Sequence, residues 1–195
     1  MKVTRRAQSR LASMEMFVLD VDGVLTQGEI IYTDAGQELK SFDVRDGLGL
    51  RVAGTAGLRL ALISGRTSSI VQRRARDLRI EDVVLRTGDK ENALRMLISR
   101  HNLSLEHVAY MGDDLNDRAP MRVAGLAIAP ADAVPEILEE ADIVTDAPGG
   151  RGAARQAVEL ILRAQGKWES AVERYLAELG EQDQARRPVE AEPIR

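Results

Sequence analysis

The 195-residue sequence contains no cysteine, two histidines and only 3% aromatic residues. The absence of cysteine excludes disulfide bonds and thiolate chemistry, and it fits the cytoplasmic location that we expect. The scarcity of aromatic side chains leaves little material for stacking nucleic-acid bases. No apolar run approaches the roughly 20 residues that cross a bilayer. The composition therefore favours a protein with neither a nucleic acid nor a membrane as its partner.

Acidic and basic residues are mixed along the chain, and the formal net charge is −4. This balance provides no electrostatic attraction to nucleic acids or anionic membranes, so any bound phosphate must be held by local groups. The length is enough for one domain with a sizeable core. We expect an N-terminal helical arm at residues 1–14, a domain at 15–165, and a C-terminal helix with a disordered end at 166–195.

Short apolar runs alternate with helical patterns along the central domain. Strands are predicted at residues 16–21, 58–64, 82–85, 107–112, 125–129 and 141–145, and helices near 46–55, 67–78, 89–101, 115–123, 133–139 and 151–164. This alternation predicts an α/β fold with a doubly wound parallel sheet, whose strands end at one crevice. Residues 28–44 interrupt the alternation and are typical of an inserted β-hairpin.

Two of the predicted strands end in polar residues with unusual spacing. "DVDG" places Asp20 and Asp22 two residues apart, where their charges repel unless a cation or a proton lies between them. "ISGR" places Ser64, Gly65 and Arg66 at a turn into a helix, where backbone N–H groups can hold an anion. The alternative explanation of each motif is an ordinary turn with no functional role.

Two later segments add a cation and more acids. "GDK" supplies Lys90 near a helix start, and "GDDLND" supplies Asp113, Asp114 and Asp117. Alone, a lysine is usually solvated, and acids at a helix start can simply complement the macrodipole. Together, carboxylates that gather at one crevice need counter-charge, and Mg²⁺ supplies it because it binds carboxylates, phosphate oxygens and water. The four motifs therefore predict a site for magnesium and phosphate.

In this order, the motifs resemble those of the haloacid dehalogenase superfamily of phosphatases. The similarity covers about residues 15–165. Within it, "DVDGVLT", "FDVRDGLGL", "AYMGDDLND" and "GGRGAARQAVELIL" resemble the small tetrameric branch of the superfamily, which has no large cap domain. The resemblance implies a Rossmann-like fold in which the hairpins of neighbouring subunits pack together in a homotetramer.

The resemblance also implies a role for each acid. Asp20 would be the nucleophile that forms an aspartyl-phosphate. Asp22 would act first as the general acid and then as the general base. A Mg²⁺ ion would be held by Asp20, the main-chain carbonyl of Asp22 and Asp113. Either Asp114 or Asp117 would support them.

The remaining predicted residues would hold the substrate, a small sugar phosphate. Ser64, Gly65 and Lys90 would hold the phosphoryl oxygens, whose charge must be stabilised in the transition state. Arg66 could be a solvated helix residue, but we favour a role in binding a substrate carboxylate, which its planar guanidinium matches. The implied reaction is Mg²⁺-dependent hydrolysis of 3-deoxy-D-manno-octulosonate 8-phosphate.

Several alternatives stay open at this point. Asn116 stands where the family often has proline, and relatives that act on acylneuraminate 9-phosphates carry asparagine there, so such a phosphatase or a broader sugar phosphatase is the alternative. A non-catalytic assembly subunit is disfavoured because both acids of the first pair and Lys90 are present. A phosphorylated receiver domain is disfavoured because a hairpin follows the Asp-x-Asp-Gly spacing.

Two further segments carry weaker predictions. Residues 147–156, "APGGRGAARQ", are equally consistent with a flexible segment that reaches the site and with a loop followed by a helix start. Arg45 and Asp46, in "VRDG", are expected near the mouth of the site by family analogy.

Overall fold

Strands and helices alternate along the computed structural model, which describes the backbone of residues 1–185 and the side chains of residues 1–181. The strands are β1 (Lys2–Val3), β2 (Met16–Leu19), β3 (Ile31–Tyr32), β4 (Glu38–Leu39), β5 (Arg59–Ile63), β6 (Asp82–Val84), β7 (Val108–Met111), β8 (Leu126–Ala129) and β9 (Ile143–Val144). The helices are α1 (Arg5–Arg10), α2 (Val44–Thr55), α3 (Ser69–Leu78), α4 (Lys90–Arg100), α5 (Arg118–Val123), α6 (Pro135–Glu140), α7 (Ala153–Ala164) and α8 (Trp168–Ala185). None of these helices is long and apolar enough to span a membrane.

The main sheet has the strand order β1-β9-β8-β7-β2-β5-β6. Its neighbouring strands are parallel except for β1, which runs antiparallel to β9. From the central strand β2 the chain first builds outward through β5 and β6, and it then fills the other side through β7, β8 and β9. This reversal confirms the predicted doubly wound α/β fold and opens a crevice at the carboxyl end of β2.

The central strand β2 contributes side chains to both faces of the sheet. Phe17 and Leu19 pack in a cluster with α2, α3, α7 and α8, whereas Met16 and Val18 pack in a second cluster with α4, α5 and α6. Successive strand residues point to opposite faces, so a strand covered on both sides must be apolar throughout. This packing fixes the end of β2 and therefore the position of Asp20, the next residue.

The two ends of the chain differ from their predictions. The N-terminal arm is not entirely helical, because Lys2 and Val3 pair with β9 before α1 begins. A strand of two residues has no periodicity that a sequence pattern could show. At the other end, the predicted amphipathic helix continues to Ala185 as α8. The tail that we predicted to be disordered lies outside the described residues from 186 onward.

The inserted hairpin is present but shorter than predicted. Its strands β3 and β4 have two residues each, and Ile31 pairs with Leu39. Residue 44 already belongs to α2, because Asp43 caps that helix by accepting a hydrogen bond of 2.6 Å from the Arg45 N–H. The hairpin forms its own small sheet, separate from the main one.

Candidate active site

The loop after β2 brings two acids together through a glycine. Asp20 is buried, and its N–H donates to the Met111 carbonyl at 2.9 Å. Gly23 has a φ of +90°, and a Cβ built on it would lie 1.9 Å from Oδ2 of Asp113. Only glycine combines this backbone conformation with such a close approach. The sequence "DVDG" therefore places the first predicted acids against the later "GDD" motif.

Three carboxylates form a cluster at this point. Asp20, Asp113 and Asp117 each offer an oxygen, and these oxygens lie within 4.8 Å of one another. Lys90, at the start of α4, is buried beside them, with its Nζ 3.0 Å from Oδ1 of Asp20 and 2.7 Å from Oδ1 of Asp117. Tyr110 donates a hydrogen bond of 2.7 Å to the same Asp117 oxygen. Sequence reasoning missed Tyr110, since a tyrosine in an apolar strand is typical of core packing.

The electrostatics of the cluster favour a cation. Burial raises the pKa of Asp20 to about 7, with repulsion from Asp117 adding to the effect and Lys90 opposing it. Burial likewise raises the pKa of Asp113 to about 8, with repulsion from Asp20 and Asp117 adding to it. For Lys90, burial disfavours the charged form, but the nearby acids outweigh it and raise the ammonium pKa. Three carboxylates and one ammonium carry a formal charge of −2, which a divalent ion would neutralise.

The donor set fits magnesium. Oδ1 of Asp113 is buried and has no hydrogen-bond partner among the described residues. An orphaned, buried carboxylate oxygen beside two other carboxylates is the hard oxygen environment that Mg²⁺ prefers. Asp114, in contrast, is exposed and accepts a hydrogen bond of 2.7 Å from the N–H of Leu115. Of the two supporting acids that the sequence left open, Asp117 is the one in the cluster.

The predicted residues line one cavity of about 210 Å³. Its lining residues are Asp20, Asp22, Gly28, Ser64, Gly65, Arg66, Lys90, Asp113, Asp114 and Asn116. Asp117 lies beneath them, fully buried. A larger cavity of about 390 Å³ opens at the amino ends of β5 and β6, but the acid cluster is not part of its lining. We therefore place the chemistry in the smaller cavity.

The predicted phosphate turn follows β5. Ser64 is buried, and its Oγ accepts a hydrogen bond of 3.2 Å from the Arg66 N–H. Nη2 of Arg66 donates to Oε1 of Glu38 at 3.2 Å and to the hydroxyl of Tyr32 at 3.4 Å. Nε of Arg66 is buried without a hydrogen-bond partner among the described residues. Arg66 thus links the hairpin to the cavity, as a residue at its mouth.

The hairpin also reaches Asp22. Nζ of Lys40, just after β4, donates a hydrogen bond to Oδ1 of Asp22 and lies 3.5 Å from Oε1 of Glu38. The Lys40 side chain is only 1% exposed. No sequence pattern indicates this contact, because a lysine on a short hairpin is usually solvated.

The glycine-rich stretch packs behind the loop that carries the first two acids. The Gly150 N–H donates to the Val24 carbonyl at 2.8 Å, and a Cβ on Gly149 would lie 1.7 Å from the carbonyl oxygen of Gly23. Of the two predictions for residues 147–156, the loop followed by a helix start is therefore correct, since α7 begins at Ala153.

The expectation that Arg45 and Asp46 lie near the mouth is wrong, since neither residue lines the cavity. Asp46 is buried, and it accepts hydrogen bonds from the Gly152 N–H at 3.0 Å and the Arg155 N–H at 2.8 Å. It thereby satisfies free donors at the start of α7. Arg45 is exposed and pairs with Asp43 at 2.7 Å.

Carboxylates, a lysine and a serine turn at the carboxyl ends of a doubly wound sheet define a site for phosphoryl transfer. The family model of the haloacid dehalogenase-like hydrolases matches residues 78–155. Curated relatives described below match most of the chain at about 40% identity. The chain belongs to the haloacid dehalogenase-like hydrolases.

The relatives point to one kind of phosphatase in that family. The chain is 40% identical over 169 residues to 3-deoxy-D-manno-octulosonate 8-phosphate phosphatase KdsC of Salmonella typhi, covering 87% of this chain and 90% of that protein. A crystal structure of the Yersinia pestis phosphatase of that name matches with a TM-score of 0.83 at 41% identity, covering 85% and 89% of the two chains. The Moraxella catarrhalis phosphatase, solved in complex with magnesium, phosphate and KDO, matches with a TM-score of 0.83 at 38% identity, covering 86% and 97%.

Proposed function

We propose that this protein is a Mg²⁺-dependent phosphatase that converts 3-deoxy-D-manno-octulosonate 8-phosphate to 3-deoxy-D-manno-octulosonate and phosphate, in lipopolysaccharide biosynthesis. The observation that carries the proposal is the single cavity lined by Asp20, Asp22, Ser64, Lys90 and Asp113. The similarity to phosphatases named for this substrate, over most of both chains, supports the choice of substrate.

Asp20 is the proposed nucleophile. One of its carboxylate oxygens attacks phosphorus and forms an aspartyl-phosphate, while the bond from phosphorus to the sugar oxygen breaks. Asp22, two residues along the same loop, gives its proton to that leaving oxygen. Asp22 then takes a proton from the water that attacks the aspartyl-phosphate. Cleavage of the bond from phosphorus to Asp20 releases phosphate and restores both acids.

Other residues hold the charge that this chemistry places in the cavity. Asp20, Asp113 and the main-chain carbonyl of Asp22 would hold Mg²⁺, and Asp117 would support them from below. The ion, when bound, supplies positive charge to the phosphoryl oxygens. Ser64, Gly65 and Lys90 would hold the remaining oxygens, and Arg66, which lines the same cavity, would bind the substrate carboxylate.

We infer a homotetramer in which the hairpins meet. Ile31, Tyr32 and Leu39 are 44%, 62% and 49% exposed, and all three lie on β3 or β4. An isolated two-stranded hairpin is marginal in water, so contacts between subunits would stabilise it. Light scattering tests this inference, and a monomer with full activity would contradict it. The proposed location of the assembly is the cytoplasm.

Steady-state kinetics on two substrates test the proposed function. Phosphate release is measured from 3-deoxy-D-manno-octulosonate 8-phosphate and from an acylneuraminate 9-phosphate, with Mg²⁺ or with a chelator. We expect a higher kcat/KM for the first substrate, dependence on Mg²⁺, and loss of turnover in Asp20→Asn. The control is Asp77→Asn, which removes an exposed carboxylate on α3 and should match the wild type. A preference for the nine-carbon substrate would overturn the choice of substrate, and no turnover of either would overturn the reaction.

A further inference from the structure

Lys40 is an unusual lysine for its place in the fold. It lies just after the two-residue strand β4, on a hairpin whose neighbouring side chains are largely exposed, yet its own side chain is only 1% exposed. Its ammonium contacts Asp22 and also lies 3.5 Å from Glu38. Burying an ammonium group is costly unless carboxylates compensate its charge, and here Asp22 and Glu38 provide that compensation.

The two residues of this contact differ in their relation to the cavity. Asp22 lines the cavity, whereas Lys40 does not. The contact uses Oδ1 of Asp22, and among the described residues no donor reaches the other carboxylate oxygen. Lys40 can therefore fix the orientation of the Asp22 carboxylate without occupying the space in which a phosphate ester would bind.

Glu38 extends this contact to the mouth of the cavity. Its Oε1 lies 3.5 Å from Nζ of Lys40 and accepts a hydrogen bond of 3.2 Å from Nη2 of Arg66. Four charged side chains of alternating sign thus run from Arg66 through Glu38 and Lys40 to Asp22. Lys40 thus lies between two carboxylates, Asp22 and Glu38, and Arg66 contacts the second of them.

We propose that Lys40 is a positioning residue that holds Asp22 in the geometry for proton transfer. The inference rests on the proposed function, in which Asp22 protonates the leaving oxygen and then deprotonates water. In this role Lys40 makes both proton transfers depend on the hairpin, which is separate from the main sheet. A proton transfer is efficient only when donor and acceptor are within hydrogen-bond reach, so a misplaced Asp22 slows chemistry more than binding.

The test compares Lys40→Met, which keeps the length of the side chain but removes its charge, with Lys40→Arg, which keeps a cation. Lys167→Met is the matched control, because Lys167 is exposed in the turn between α7 and α8. With 3-deoxy-D-manno-octulosonate 8-phosphate, we expect kcat of Lys40→Met to fall at least about tenfold, within the roughly 100- to 10,000-fold that acid–base catalysis contributes. KM should change little, Lys40→Arg should recover part of the rate, and the control should match the wild type.

A second substrate separates positioning from a structural effect. p-Nitrophenolate leaves without a proton, so the first step on p-nitrophenyl phosphate does not need Asp22, whereas the second step still needs it as a base. Lys40→Met should therefore release a burst of about one equivalent of p-nitrophenolate per site, followed by slow turnover. Light scattering should give the same assembly size for this variant and the wild type.

The contrary outcomes are distinct. An unchanged kcat would overturn the proposal, and a raised KM at unchanged kcat would mean that Lys40 binds the substrate directly. Equal losses on both substrates without a burst would mean that the substitution acts through folding of the hairpin. If the wild type itself releases no phosphate, the proposed function fails. If the wild type is active and Lys40→Met equals it, only the role of Lys40 fails.

Discussion

The hydroxyl of Tyr110 donates a hydrogen bond of 2.7 Å to Oδ1 of Asp117, and both side chains are fully buried beneath the acid cluster. Nζ of Lys90 lies 2.7 Å from the same oxygen. Burial and the charge of Asp117 raise the pKa of Tyr110 well above its usual value, so the hydroxyl remains a donor at neutral pH. Tyr110 thus helps to hold Asp117, which in turn holds Lys90 toward Asp20.

Removing that hydroxyl should cost stability. We expect Tyr110→Phe to lower the free energy of unfolding by about 1–3 kcal/mol, because a buried carboxylate loses one of its donors. Lys90 would remain bound to Asp117, so the variant should fold and retain metal binding. Urea unfolding in the presence of chelator measures the change. A stability equal to the wild type would show that Asp117 does not depend on this donor.

The stability of the metal-free protein should depend on pH. In the folded state the pKa values of Asp20 and Asp113 are about 7 and about 8, above their common unfolded value of 3.8. The folded protein therefore binds these protons more tightly, and the stability that they contribute is present below about pH 4 and is lost as the pH rises through 7 and 8.

Mg²⁺ should oppose this loss, because the ion replaces the protons. We expect the rise in Tm that Mg²⁺ produces to be larger at pH 8 than at pH 5.5. Thermal unfolding at both pH values, with chelator and with excess Mg²⁺, measures it. An equal rise at the two pH values would contradict the electrostatic description of the cluster.

Asp113→Asn should separate stability from metal binding. The substitution removes a buried negative charge that is repelled by Asp20 and Asp117, so in chelator at pH 8 the variant should have a higher Tm than the wild type. It should also lose the additional stabilisation by Mg²⁺. The conservative control is Asp77→Asn, for which both Tm values should follow the wild type. A lower Tm in chelator would mean that Asp113 contributes favourable contacts in the absence of metal.

The hydrogen bonds of Asp46 to the start of α7 can be tested by substitution. Asp46→Ala leaves the N–H groups of Gly152 and Arg155 without their acceptor, and we expect a loss of about 1–2 kcal/mol, as for a helix N-cap. Asp46→Asn keeps an acceptor oxygen and should lose less. Denaturant unfolding measures the loss of stability in each variant. An equal loss in the two variants would argue against the capping role.

The sequence was sufficient to predict the sheet and the residues at its carboxyl edge. Asp20, Ser64 and Asp113 each follow a largely apolar strand, and parallel strands bring such positions together whatever lies between them. Lys90 could be included because it starts the helix that follows another strand. The alternation of strands and helices is enough to place these residues at one edge of the sheet, so no side-chain contact has to be known in advance.

The parts that could not be predicted depend on contacts between segments that have no shared pattern. Lys40 and Tyr110 belong to residue types whose usual roles are solvation and core packing, and only their partners reveal another role. Asp46 looks like a residue of the site because its motif is polar, yet it caps α7 from inside the protein. Strand β1 is too short for any periodicity.

Trapping the phosphoryl group on Asp20 would test directly whether this residue is the nucleophile. In the proposed mechanism Asp22 is the base for the second step, so in Asp22→Asn the aspartyl-phosphate should accumulate. The variant is mixed with Mg²⁺ and p-nitrophenyl phosphate, quenched in acid and digested. We expect mass spectrometry to find a phosphoryl group on the peptide that contains Asp20, and none in Asp20→Asn or when chelator replaces Mg²⁺. Phosphate release by the wild type with no trapped adduct, or an adduct on another residue, would contradict it.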